Sequence, residues 1–235
     1  MASRAESAAV AHWPAVGSAI RAALGDFYVN SLRMVPANLL WAATLTAVWL
    51  TVLITPLGLL LLPLLAFPTA SIFRIAVLVV RGGPLSLWDG VRVWRTDPGP
   101  ILVLGIVLVS CLALFLVNIV SGVRSGGVIG WVVATCAAWG AGVAWLVSWT
   151  AWPLLLDPCR ADRSARERLR MAVLLVLAYP TRLGVLGAVL AVIVLASTVA
   201  LIALMTISVA FAALVATHYV LPAADRFEER IAAGA

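Results

Sequence analysis

Ionisable side chains inside long apolar runs are the residues best placed to do chemistry in this 235-residue sequence, because a charge held away from water is costly. Arg74 interrupts one such run. It could contact an anion or lipid headgroup inside a helix bundle, or snorkel to the membrane surface as an anchor. His218, between Thr217 and Tyr219, reads as a satisfied polar residue near the end of the last run, and Asn38 and Asn118 lie near the ends of theirs. A lipid- or isoprenoid-handling site could sit among the cytoplasmic interfacial segments, for example around Asp89, Arg92 and Asp97. No Asp or Glu falls within any predicted span, which argues against a proton- or sodium-coupled carboxylate site.

Recognisable catalytic patterns are missing from the sequence. It has no GxxxxGK[ST] phosphate loop, no HExxH zinc pair and no GxSxG elbow. His12 and His218 are the only histidines, and neither has a nearby nucleophile with an acid in support. Cys111, Cys136 and Cys159 are spaced like no metal motif. A non-catalytic protein without cofactor or metal is the expectation.

The elements that must position these residues are apolar helices. The sequence is 64% hydrophobic and 11% charged, with a mean hydropathy of +1.11, where a soluble domain is nearer half apolar and a quarter charged. That composition excludes disorder, a disulfide scaffold and an ordinary soluble enzyme, and leaves a polytopic membrane protein. Four stretches without Asp, Glu, Lys or Arg, of 40, 26, 32 and 42 residues, separate Arg33 from Arg74, Asp97 from Arg124, Arg124 from Asp157 and Arg182 from Asp225. A spanning helix takes about 20 residues, so the middle two hold one span each and the outer two have room for a pair each, four to six spans in all, with six preferred over five because it gives the stronger arginine skew. The fold class is therefore all-α, a transmembrane bundle of six spans arranged as three hairpins. The expected spans are 37–55, 59–80, 101–120, 128–152, 183–203 and 206–221, within a single transmembrane domain 19–222 flanked by tails 1–18 and 223–235. Pro63 and Pro68 interrupt the second span, which is expected to face protein or re-enter as half-helices. The last hairpin is expected to turn within 203–208.

Orientation follows from the arginines, since the chain has no lysine. With six spans, Arg124 stands alone on one side and the other 15 arginines share the opposite one, which the positive-inside rule makes cytoplasmic along with both termini. The start of the chain, with Glu6, His12 and Pro14, does not read as a cleaved signal peptide.

Each odd-numbered span is preceded by a short amphipathic segment and a proline. Ile20, Leu24, Phe27 and Leu32 precede Pro36; Leu87, Val91 and Trp94 precede Pro98 and Pro100; Leu169, Val173 and Val176 precede Pro180. Apolar residues at helical spacing beside a basic face describe cytoplasmic interfacial helices lying in the headgroup plane. Two of them open on capping boxes, Ser86 to Asp89 and Ser164 to Glu167. Arg160 to Arg170 carries five arginines, including Arg163 and Arg166, and reads as a lipid anchor or as a docking surface for a cytoplasmic partner. The pI of 10.2 reflects these topology-setting arginines and not a nucleic-acid surface. Trp139 and Trp145 lie mid-span, where they pack or line a groove.

Asn38-Leu39-Leu40-Trp41 opening the first span, the proline-interrupted return Leu62-Pro63-Leu64-Leu65-Ala66-Phe67-Pro68-Thr69-Ala70, Val80-Arg81-Gly82, Trp152-Pro153-Leu154-Leu155 and Tyr179-Pro180 together resemble the YesL-like family. These are bacterial integral membrane proteins with a domain of unknown function. The resemblance covers about residues 20 to 225 and implies a bacterial cytoplasmic membrane and an accessory role beside a carbohydrate transporter, with no catalytic residues to carry over. The expected partners are the lipid bilayer and a transporter subunit or a second copy of the chain, with no nucleic acid. Arg74, Asn38, Trp41, Arg163 and Arg166 are the candidate ligand or partner contacts. Two other readings stay open: a small permease using the broken second span and Arg74, and a lipid-handling enzyme around Asp89, Arg92 and Asp97.

Overall fold

Long apolar sequences fold as helices in a membrane because every backbone N–H and C=O is then satisfied within its own segment. The computed structural model describes residues 15–86, 88–201 and 204–234, which leaves Glu6, His12, Pro14, Leu87 and Ala203 outside the described residues. Among the described residues there is no strand. The α-helices are α1 (Val16–Val29), α2 (Ser31–Ile54), α3 (Ala66–Val80), α4 (Asp89–Thr96), α5 (Pro98–Ser125), α6 (Gly127–Leu155), α7 (Ala165–Ala178), α8 (Pro180–Val199) and α9 (Val209–Gly234). Among the described residues, six helical segments are long and apolar enough to cross a membrane, the second being a 3-10 stretch (Pro56–Leu65) continued by α3. The chain has the build of a multi-pass membrane protein.

These helices form three repeats of one unit: a short helix, a bent junction, a long outgoing helix and a long returning helix. The short helices are α1, α4 and α7, and the junction residues are Asn30, Asp97 and Tyr179. At each junction the residue's N–H closes the short helix on the carbonyl four residues back: Asp26, Val93 and Leu175. Its own carbonyl then accepts the first bond of the long helix, from Met34, Ile101 and Leu183. Pro98 and Pro180 occupy the first turn of α5 and α8, where a missing N–H costs nothing. The first repeat departs from the expected pattern, because its bend falls at Asn30, while Pro36 sits inside α2.

The short helices pack one face against the rest of the protein. Each packs along a returning helix of the neighbouring repeat: α4 on α3, α7 on α6, and α1 on α9, so the third repeat closes back onto the first. Part of each face is covered by protein, through Ala19 and Ala23 on α1, Gly90 and Val93 on α4, and Ala172, Leu175 and Val176 on α7, while Leu24 on α1 and Val173 on α7 stay exposed. The three returning helices also touch one another, and the core lies between them at the arginine-rich end. There Phe73 packs against Trp149 and Trp152, with ring centroids 5.8 and 6.3 Å away.

The α5–α6 hairpin projects from this core. Its helices hold 28 and 29 residues, about 42 Å each at 1.5 Å per residue, and most of their surface is covered by nothing else in the chain. Gly126 and Gly127 turn the chain with φ of 64° and 67°, which β-carbon sterics deny most residues. Just inside the turn Gly122 and Gly130 touch backbone to backbone: a Cβ on Gly122 would meet the Gly130 carbonyl oxygen at 2.5 Å.

Two expected boundaries shift. The last helix does not stop at Leu221 but runs through Pro222 to Gly234, with Ala223 and Ala224 fully buried. The proline-rich return is a 3-10 helix that turns Leu57, Leu59 and Leu60 outward and only Gly58 inward, against Thr51 and Val52. A ten-residue 3-10 run is long for that geometry. The last hairpin's expected turn region contains a π-helical segment, Leu204–Ser208, before α9.

Candidate functional site

The returning helices bring their terminal charges together at the arginine-rich end. Arg81 follows α3, Asp157 follows α6, and Asp225 and Glu228 lie one turn apart on α9, the spacing that puts two side chains on one helix face. Asp157 starts a single 3-10 turn, Pro158–Arg160, by accepting the Cys159 N–H at 3.1 Å, and that turn presents Arg160 inward. Arg81 donates to Asp157 at 2.6 Å and to Asp225 at 2.8 Å. Arg160 donates to Asp225 at 2.6 Å, to Glu228 at 2.9 Å and to Asp157. Arg163 closes the edge with two bonds to Glu228, at 2.8 and 3.1 Å.

Three arginines thus face three carboxylates, and the cluster is neutral although Asp157 is 1% and Arg160 3% exposed. The Asp225 carboxylate raises the Arg81 pKa more than burial lowers it, with Asp157 adding to the rise. At Arg160 burial pulls downward, and the bonds to Glu228 and Asp225 more than reverse it. Both guanidiniums therefore stay charged. A buried pair of this kind adds modest net stability when complete but is costly to break from one side. Its members come from all three repeats, so it clamps the ring shut.

A pocket of about 410 Å³ adjoins the clamp, between α3, α4, the end of α6 and α7. It is lined by Arg74, Asp89, Arg92, Asp97, Asp157 and Arg168 beside apolar Val93, Leu155 and Leu156. Arg74 donates to the Leu156 carbonyl at 2.8 Å, and Arg168 donates to the Leu155 carbonyl. These carbonyls end α6 and lack helical partners, so the two arginines cap it and oppose the negative end of its dipole.

The expected contact residues scatter. Asn38 is wholly buried and bridges the π-helical segment, donating to the Met205 carbonyl at 2.8 Å and accepting the Ala210 N–H at 2.9 Å. Trp41 donates to the Thr69 hydroxyl at 3.1 Å. Arg163 belongs to the clamp, and exposed Arg166 lines an apolar groove with Pro100, Val103 and Leu169. Of the five, only Arg74 reaches the pocket, where it meets the Asp89, Arg92 and Asp97 grouping.

The basic connector is thus only partly a solvated face. Arg160, Arg163 and Arg168 turn inward, and Arg166 and Arg170 remain exposed. Trp145 packs, donating to the Gly187 carbonyl at 3.1 Å and meeting Trp149 edge to face, whereas Trp139 is exposed on the α5–α6 hairpin. His218 is paired, 2.7 Å from Asp26, and so ties α1 to α9. The Ser164–Glu167 capping box is complete. At Ser86 only half forms: Asp89 accepts the Ser86 N–H at 2.7 Å, while the serine hydroxyl accepts from Trp88.

Sequence reasoning did not single out Arg81, Asp157, Asp225 or Glu228. The available signal was positional, since Asp157 and Asp225 are the first charges after the third and fourth long apolar stretches and both end returning spans. No protein family, curated protein or solved structure matches the chain.

Proposed function

We propose that this chain is a non-catalytic integral membrane protein that assists or regulates a transport system, with its arginine-rich end and both termini in the cytoplasm of a bacterial cell. The observation that carries the reading is the direction in which the short helices turn their charges. Their inner faces lock the repeats together, while Arg92 and Arg95 on α4 and Arg166 and Arg170 on α7 stay exposed on the outer side. A rigid, basic platform of this kind suits an acidic face on a membrane partner, where charge complementarity sets register and association rate more than affinity. The skew of 15 arginines to one supports the orientation, and the resemblance to the YesL-like family supports a carbohydrate transporter as the partner.

Affinity purification from native membranes at native expression tests the reading. A transporter subunit should copurify, and replacing Arg92, Arg95, Arg166 and Arg170 by glutamine should release it while the chain stays folded. A chain recovered alone under those conditions would contradict the role.

A second reading has one observation behind it, the meeting of Arg74 with Asp89, Arg92 and Asp97 around one pocket. A permease or lipid-handling site would be placed there and not at the proline-rich return, whose leucines face outward.

A further inference from the structure

We propose that the pocket between α3, α4, α6 and α7 binds a phosphate group, carried either by a lipid headgroup or by a free phosphate, with Arg74 and Arg168 as its principal contacts. This inference does not depend on the docking role.

The argument rests on which charges in the pocket are already committed. Asp157 is held by Arg81 and Arg160. Asp89 accepts the Ser86 N–H and pairs with Arg92 at 3.3 Å. Arg74 and Arg168 differ, because among the described residues no carboxylate lies within 4.0 Å of either. Each gives one nitrogen to a carbonyl at the end of α6. A guanidinium has five N–H donors, so the greater part of both forks is left over. The Nε of Arg168 is shut off from solvent and has no partner, and a buried donor in that state calls for an acceptor.

Opposing charges are present but fewer. Asp97 lines the pocket and makes no ion pair among the described residues, and the carbonyl end of α6 contributes about half a negative charge. Two guanidiniums outweigh them, and Val93, Leu155, Leu156 and Ala161 keep part of the wall apolar, where charge attraction is less screened. A tetrahedral phosphate offers oxygens in several directions and can accept from two forks on different helices at once. The space, about 410 Å³, admits a phosphate with a small ester portion. Because Arg74 and Arg168 cap α6 from α3 and α7, a bound phosphate would tie together elements of all three repeats.

The test uses the full-length chain in phosphatidylcholine nanodiscs and reads its melting temperature against two probes. One is inorganic phosphate, compared with chloride at equal ionic strength; the other is phosphatidylglycerol mixed into the nanodisc. At least one probe should raise the melting temperature. Arg168→Gln and Arg74→Gln should weaken the apparent affinity about ten-fold or more, the scale of one lost charge-assisted hydrogen bond. Asp97→Asn leaves both α6 caps intact and should bind more tightly, so the proposal stays testable even if the arginine variants fold poorly. Response to both probes assigns the site to the phosphate group itself, response to the lipid alone to a headgroup, and response to phosphate alone to a soluble ester. Silence with both probes, or a response that Arg168→Gln and Asp97→Asn leave unchanged, would overturn the proposal.

Discussion

The two ends of the molecule hold together by opposite means. At the arginine-rich end, three returning helices are joined by an ion-pair clamp whose bonds between repeats link residues 65 to 144 apart in the chain. At the far end, the α5–α6 hairpin holds through backbone contact at Gly122 and Gly130, and its other faces are apolar and open. A bilayer explains the contrast. Hydrocarbon gives no hydrophobic drive between helices, so small residues and close approach do the joining within it, whereas a neutral charge cluster is tolerable near the water interface. The repeats are locked where charge can be balanced.

The comparison can be broken most severely at Asp157. Asp157→Asn leaves Arg81 and Arg160 facing a neutral amide, and we expect a loss of about 3–5 kcal/mol in thermal unfolding of the purified chain. A loss below about 1 kcal/mol would show that the clamp does not hold the ring.

The far end should fail through shape instead of charge. Gly122→Val forces a side chain against the Gly130 carbonyl and the Ala134 N–H, with an expected cost of about 1–3 kcal/mol. Gly142 is the control. Nothing lies within 4 Å of its added Cβ, so Gly142→Ala should change stability by less than about 0.5 kcal/mol.

Asn38 tests the middle of the molecule, where α2 meets the π-helical segment. Asn38→Ala strands a carbonyl at Met205 and an N–H at Ala210, with an expected loss of about 1–3 kcal/mol. Hydrogen exchange should rise at residues 204–210 before it rises elsewhere.

The smallest effect is expected at the start of α7. The Ser164 N–H, with the serine hydroxyl assisting, holds the Glu167 carboxyl below its ordinary pKa. A depressed pKa means the contribution is complete above the ordinary glutamate value and is lost as pH falls through the lowered one. The stability difference between wild type and Glu167→Ala should therefore be small at neutral pH and vanish in acid. A difference that grows in acid would contradict the sign.

Much of this architecture was legible before any coordinates. Spans could be read because lipid excludes charge, which leaves uninterrupted apolar stretches of spanning length. Two of three junctions could be read because Pro98 and Pro180 mark where a new helix starts without an N–H partner. The third could not, because Asn30 has no proline beside it and Pro36 drew attention six residues too far along. The short helices carried a membrane-surface pattern, and that pattern could not show that α3, α6 and α9 cover part of each face while Leu24 and Val173 stay exposed. The clamp was hidden for a related reason. Arg160 sits in a run of five arginines that looks solvated, and its partners Asp225 and Glu228 are brought to it only when the third repeat folds back beside the second. Arg74 was visible as an exception within an apolar run, whereas Arg168, on the other wall of the same pocket, looked like one more member of a basic connector.

Closure of the three repeats by mutual charge compensation is tested most directly by a double-mutant cycle across Arg81 and Asp225, which joins the first repeat to the third. Unfolding free energies would be measured for wild type, Arg81→Gln, Asp225→Asn and the double variant. The account predicts that the double variant loses less than the sum of the singles by about 1 kcal/mol or more, because neither charge is then left facing an empty partner. Strict additivity of the two losses would contradict it.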